Sequence, residues 1–133
     1  MNQYFKKVRD YLLDLNCNIS YEGEEEGVIV VDEHSSAIQN LVLGVADPIL
    51  IIEQYILEIR GDNADIYCKL LQKNRDIIHG AFVLDDTGTK VIFRNTLELE
   101  NLDLNELEAS FNSLSLLLSE YSNELIDFSK KQH

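Results

Sequence analysis

The sequence predicts an α+β fold: an antiparallel sheet of about six strands, with helices at the N- and C-terminal ends of the chain and a short helix in the middle. Helical periodicity is the first observation, since apolar residues recur every three or four positions at both ends of the chain and once between them. The second is a set of short runs rich in Val, Ile and Phe, separated by Gly, Asp and Asn, which is the pattern of strands and turns. The third is size: 133 residues, 45% hydrophobic and 26% charged, fit a single domain, 1–133, around one core.

Tyr4, Val8, Tyr11 and Leu15, flanked by Phe5 and Leu12, make residues 2–16 an amphipathic helix that Asn16 and Asn18 close. Residues 18–22 and 27–33 read as two strands across the turn EGEEEG, where glycines supply unusual backbone angles and glutamates stay in water. The next stretch is ambiguous, because Asp47-Pro48 suits a helix start as well as a turn. The β-branched Ile49, Ile51, Ile52, Ile56 and Ile59 decide for two strands, 38–46 and 49–59, with Pro48 at the turn. Gly61-Asp62-Asn63 offers a break and a cap before ADIYCKLLQKN, a short helix with Ile66, Leu70 and Leu71 on one side. Residues 77–85 and 89–97 form a second hairpin around Asp86, Thr87 and Gly88. Asp103 and Glu106 fit a capping box, and Leu104, Leu107, Phe111, Leu114, Leu118, Tyr121, Leu125 and Phe128 then trace the seam of a long helix. A lone seam of this kind is expected to pack on its own sheet rather than on a second helix.

The formal charge is -13, and no Lys or Arg occurs in residues 10–59 or 95–129. Such a field repels polyanions, so neither nucleic acid nor an anionic membrane surface is an expected partner. Cys17 and Cys68 lie far apart with no CxxC, which argues for buried thiols rather than a zinc or redox site. The start MNQYFKKVRDYLL has helically spaced rather than continuous apolar residues, so it reads as neither signal peptide nor membrane span, and a cytoplasmic protein is expected.

One triplet invites an enzymatic reading. Asp86-Thr87-Gly88 matches the turn by which a dimeric aspartic protease pairs two carboxylates around one proton. That fold also needs a later hydrophobic-hydrophobic-Gly element to brace the turn and a glycine-rich flap, and Gly88 is the last glycine in the chain. His34, His79 and His133 are dispersed, with no partnered base, and GxGxxG, GxxxxGKS and GxSxG are all missing. Glu24, Glu25 and Glu26 lack the alternating oxygens of a calcium loop. The expectation is a chain with no catalytic residues, no metal ligands and no cofactor.

Three stretches resemble the Tir-chaperone type of type III secretion chaperone. They are LLQKN (70–74), LDDTGTKVIF (84–93) and LELENLDLNEL (97–107). Leu70, Leu71 and Asn74 fit the family's Leu-Leu-x-x-Asn helix end, and Leu84, Asp85, Gly88 and Val91 fit its Leu-Asp-x-x-Gly hairpin with a following Val. Leu97, Leu99, Leu102 and Asp103 fit its approach to the last helix. DPILIIEQYI (47–56), HGAFVLD (79–85) and ENLDLNEL (100–107) are similar to the YbjN-like branch. The likeness covers residues 2–129 and differs from the secretion chaperones in an extra strand before the middle helix. It implies a type III secretion chaperone-like homodimer that holds a client or partner protein without catalysis, as a chaperone or regulatory adaptor. The alternative it leaves open is a small-ligand-sensing regulatory module of the YbjN-like branch. Asp85, Gly88 and Asp103 are its structural landmarks, and Asp86 becomes an exposed turn residue.

A strand apolar on both faces, as 49–59 is, needs cover on both. Leu50, Ile52 and Ile56, interrupted by Gln54 and Glu58, are the expected less-buried face, and with Ile66 and Leu70 they are the expected partner-binding or dimer surface. An extended client lying there would bury apolar anchors while an acidic rim meets its Lys and Arg. The same residues equally suit a core or a dimer seam.

Overall fold

A computed structural model describes residues 2–33, 38–61 and 63–130. Along the chain run α1 (Gln3–Asp14), β1 (Asn18–Gly23), β2 (Val28–Asp32), β3 (Leu41–Ala46), β4 (Ile49–Glu58), α2 (Ala64–Asn74), β5 (Ala81–Leu84), β6 (Lys90–Glu98) and α3 (Leu104–Lys130). The six strands form one antiparallel sheet in the order β1-β2-β3-β4-β6-β5. This is the predicted element order.

Local chemistry sets the boundaries. Asn2 caps α1 by accepting from the backbone N–H groups of Tyr4 and Phe5, and Asn16, at φ 60, turns the chain out of the helix. The turn between β3 and β4 is Asp47-Pro48, with a cis peptide bond. At the start of α3, Asp103 Oδ1 accepts from Glu106 N–H at 2.7 Å, as the capping pattern predicts.

The register puts one apolar set on one face of the sheet. Ile29 stands opposite Leu43, and Leu43 opposite Ile52; Val45 stands opposite Leu50; Gln54 stands opposite Phe93, and Phe93 opposite Phe82. All are buried, in one cluster with Phe5, Val8 and Leu12 of α1, Ile66 and Leu70 of α2, and Leu107, Phe111, Leu114, Leu117, Leu125 and Phe128 of α3, Gln54 being the polar exception. Each fully buried Leu, Ile or Phe contributes roughly 1.5–3 kcal/mol. All three helices therefore roof the same side of the sheet.

Three expectations need correction. Leu50 and Ile52 are not the less-buried face of β4 but lie in the core, at 0% and 5% exposure, while Ile56 is half-buried at a bulge between Tyr55 and Leu57. Tyr55 and Leu57 pair with the consecutive Ile92 and Val91 of β6, so Ile56 between them is the extra, unpaired residue that reverses the strand's in-out alternation, and Leu57 and Ile59 continue the core face. The strand expected at 77–85 shrinks to Ala81–Leu84, because Gly80 sits at φ +92 and a Cβ there would meet the Phe93 ring at 2.6 Å. Asn63 precedes α2 without capping it, since its side chain turns back to donate to the Arg60 carbonyl.

Candidate partner-binding surfaces

The second face of the sheet has no helical cover among the described residues. Alternation places Tyr21, Val30 and Val42 side by side on it, next to Val28, Gly44 and Ile51 in the adjoining row. None of these is fully buried, and none belongs to the core cluster. Beyond Val42 the cross-strand pair Glu53–Arg94, 3.6 Å apart, interrupts the apolar stripe, and Tyr55, Ile92 and Val83 resume it toward β5. Tyr55 is 53% exposed and Tyr21 46%. Acidic groups edge the stripe: Asp32 and Glu98 occupy strand positions of the same face, and Glu26 accepts from the Tyr21 hydroxyl. That hydrogen bond, then partial desolvation and the Glu26 charge, raise the Tyr21 pKa. An apolar strip with negatively charged edges can take up an extended, partly basic segment.

A groove lies where α2 meets β5 and β6. Tyr67, Leu70, Leu71, Phe82, Val83, Leu84 and Val91 enclose about 320 Å³, with almost entirely apolar walls. Leu71 at its lip is 69% exposed and Leu84 44%. The residues that carry the chaperone resemblance build this groove. Asn74 closes α2 and pairs reciprocally with the backbone of Phe82: Phe82 N–H donates to Oδ1 at 2.8 Å, and Nδ2 donates to the Phe82 carbonyl at 3.1 Å. Helix end and sheet edge are thereby locked together, which gives the Leu-Leu-x-x-Asn spacing a physical meaning. Lys73, paired with Glu124 and 4.8 Å above the Tyr121 ring, ties the same turn to α3.

The hairpin that follows is organised by Asp85. Its Oδ1 accepts from the Thr87 hydroxyl at 2.7 Å and from Thr89 and Lys90 N–H at 3.3 and 3.1 Å. The Thr87 bond is the largest influence on its carboxyl; desolvation opposes it, and the backbone bonds from Lys90 and Thr89 with the Lys90 charge add to it, so the carboxyl stays below its usual value. Gly88 takes φ +75, and the Tyr67 hydroxyl donates to its carbonyl at 3.1 Å. Asp86 is exposed, as expected of a turn residue.

The expected surface residues are thus divided. Leu70 reaches the groove from the core, Leu50, Ile52 and Ile66 lie in the core, and Ile56 is half-buried beside α3. Val30, Val42 and Ile51, which the sequence reading left out, lie on the open face. The available signal was Glu53, whose parity with Ile51 marks the wetter side of β4. His79 lies in the bend before β5 rather than on a strand, while His34 and His133 fall outside the described residues. Cys17 is buried, and burial followed by the Glu33 charge pushes its thiol up to about 11; Cys68 is exposed rather than buried. Among the described residues no group of three or more His, Cys, Asp or Glu could hold a metal, and no helix is long and apolar enough to cross a membrane.

A six-stranded antiparallel sheet roofed on one side by helices, with the Leu-Leu-x-x-Asn and Leu-Asp-x-x-Gly elements joined at its edge, is the fold of the type III secretion chaperones. The chain belongs to the Tir chaperone family, whose model CesT_Tir_1 matches residues 1–131. No curated protein matches at a significant level. Among solved structures the chain is similar to YbjN of E. coli, a protein put forward as a transcription regulator, at 13% identity and a TM-score of 0.69 over 90% of this chain and 92% of that one. It is also similar to a chain of the HopA1–SchA chaperone–effector complex, at 11% identity and a TM-score of 0.65 over 89% and 91%. A third likeness is to the Yersinia pestis type III secretion chaperone SycH, solved with a stable fragment of YscM2, at 16% identity and a TM-score of 0.60 over 96% and 100%.

Proposed function

We propose that this protein is a non-catalytic, cytoplasmic polypeptide-binding chaperone or regulatory adaptor that works as a homodimer. In this reading the client lies in extended form across the open sheet face. The observation that carries it is the uncovered stripe Tyr21, Val28, Val30, Val42 and Ile51, edged by Asp32, Glu26 and Glu98. Apolar side chains of a client would fill the notch that Gly44 leaves between its neighbours, and Lys or Arg would meet the carboxylates. The groove at Leu71 and Leu84 is the surface through which two copies would pair, leaving the open face free. Kinship with a chaperone–effector complex and with SycH bound to a polypeptide fragment supports a protein partner.

The test is a pull-down from lysate at two salt concentrations, with wild type and Ile51→Glu side by side. Wild type should enrich partly unfolded, basic proteins, less so at high salt, and Ile51→Glu should lose them while keeping its melting temperature. Equal capture by both proteins would overturn the reading. Light scattering tests the dimer, which a concentration-independent mass near 15.3 kDa would contradict.

A further inference from the structure

The cross-strand neighbours Tyr21, Val30, Val42, Glu53 and Arg94 form one row over the open face, from the edge strand β1 to β6. The two ends of this row differ in charge. At the β1 end the Tyr21 hydroxyl donates to Glu26, and no Lys or Arg occurs in residues 10–59, which hold β1 to β4. Every Lys and Arg in the six strands belongs to β6. Lys90 stands opposite Glu58 and beside the Asp85 hairpin, which leaves Arg94 as the cation within the stripe.

Arg94 is loosely held. Among the described residues the one ion-pair partner of its guanidinium is Glu53, 3.6 Å from Nη1, which is longer than a hydrogen bond. The side chain is 42% exposed. A planar guanidinium has donors for a second, bidentate carboxylate, a geometry for which Arg suits better than Lys. Along the row Glu53 is hemmed between Val42 and Arg94, whereas the neighbour beyond Arg94 is Ala81, whose methyl group leaves the outer side of the guanidinium open. Four inter-strand steps separate β1 from β6, about 19 Å, which about six residues of extended chain span.

Building on the client reading above, we infer that Arg94 is the specificity residue of the open face. It takes a client Asp or Glu about six residues away from a client Lys or Arg at Glu26, with apolar side chains between them over Val30 and Val42. The segment selected is of mixed charge and lies across the strands with its basic end toward β1. A segment basic at both ends brings its second cation against Arg94. A carboxylate displaced toward β1 meets Glu26 and Asp32, with no cation in β1 to β4 to receive it.

The test is NMR on the full chain at physiological salt, titrated with two end-capped peptides of one composition, Lys-Thr-Val-Thr-Val-Thr-Glu and Lys-Thr-Glu-Thr-Val-Thr-Val. Their equal net charge removes the attraction of the whole acidic protein from the comparison. Both should shift Val30 and Val42, and the first should bind about threefold more tightly, the size of one exposed ion pair. Arg94→Gln should make the two affinities equal, and Glu53→Gln, which removes the competing carboxylate, should widen the difference. A nitroxide at the Glu end of the first peptide should broaden Ala81 and Thr96, and one at its Lys end Gly23 and Val28. Should Arg94→Gln not fold, Glu53→Gln and the nitroxides still decide. Equal affinities in the wild type, a preference that survives Arg94→Gln, or the same residues broadened from both ends would each overturn the role of Arg94, while shifts at Val30 and Val42 leave the client reading standing. No shift on the open face with either peptide would overturn both.

Discussion

Replacing Asn74 by Ala removes both hydrogen bonds that join the end of α2 to Phe82 on the edge strand β5. Each such bond contributes about 0.5–1.5 kcal/mol, and Phe82, 5% exposed, leaves little room for water to replace them, so the loss comes to about 1–3 kcal/mol. For 133 residues, an unfolding entropy of about 2.1 cal/mol/K per residue converts this into a fall in melting temperature of about 4–11 °C. Asn74→Asp should be no better at neutral pH, because a carboxylate still accepts from Phe82 N–H but turns lone pairs toward the Phe82 carbonyl. Gln72→Ala, two residues away on the helix and exposed, is the control and should stay within about 0.5 kcal/mol of wild type. Thermal melts followed by circular dichroism, with hydrogen exchange at the Phe82 amide, measure the effect. If Asn74→Ala melts within about 2 °C of wild type, below the shift worked out above, and its Phe82 amide stays protected, the helix–edge lock is not what the motif is for.

Asp85 gives a pH dependence. Its pKa is depressed in the folded chain, so its stabilising contribution is complete above the ordinary value of 3.8 and fades as pH falls through the lower folded value. Melting curves of wild type and Asp85→Asn should therefore differ at neutral pH and converge in acid. In the same hairpin, Gly88→Val should destabilise by on the order of 1–2 kcal/mol in urea titrations, through its positive φ alone, because no atom lies within 4 Å of a Cβ there. Asp86→Asn should leave the urea midpoint unchanged. A thiol reagent should label exposed Cys68 rapidly in the native protein and buried Cys17 only on unfolding, so two thiols reacting at the same native rate would refute the burial of Cys17.

Much of the architecture is legible in the sequence because most elements announce themselves locally. Asp103 with Glu106, Asn16 at the end of α1, and Gly88 in the Asp85 hairpin each do in space what their residue types suggest. The phase of β4 was not legible. Ile51 and Ile52 are equally apolar, and the polarity of Gln54 points the wrong way, because that residue is buried with its amide hydrogens paired to backbone carbonyls. The bulge at Ile56 then shifts the alternation partway along, which no period-two pattern contains. The site residues inherited that phase, so Leu50 and Ile52 were placed outside when the open face carries Ile51 and Tyr55.

The central claim, that the open sheet face receives polypeptide, is tested most directly by site-specific photo-crosslinking. A photoreactive side chain is placed at Val42, half-exposed in the middle of the open face, and in a second protein at Leu116, 69% exposed on the outer side of α3. Each is mixed with reduced, unfolded lysozyme as a basic client and irradiated at low and high salt. Adducts should form from Val42, decrease as salt rises, and be few from Leu116. Equal yields from the two positions, or adducts from Leu116 alone, would contradict the account.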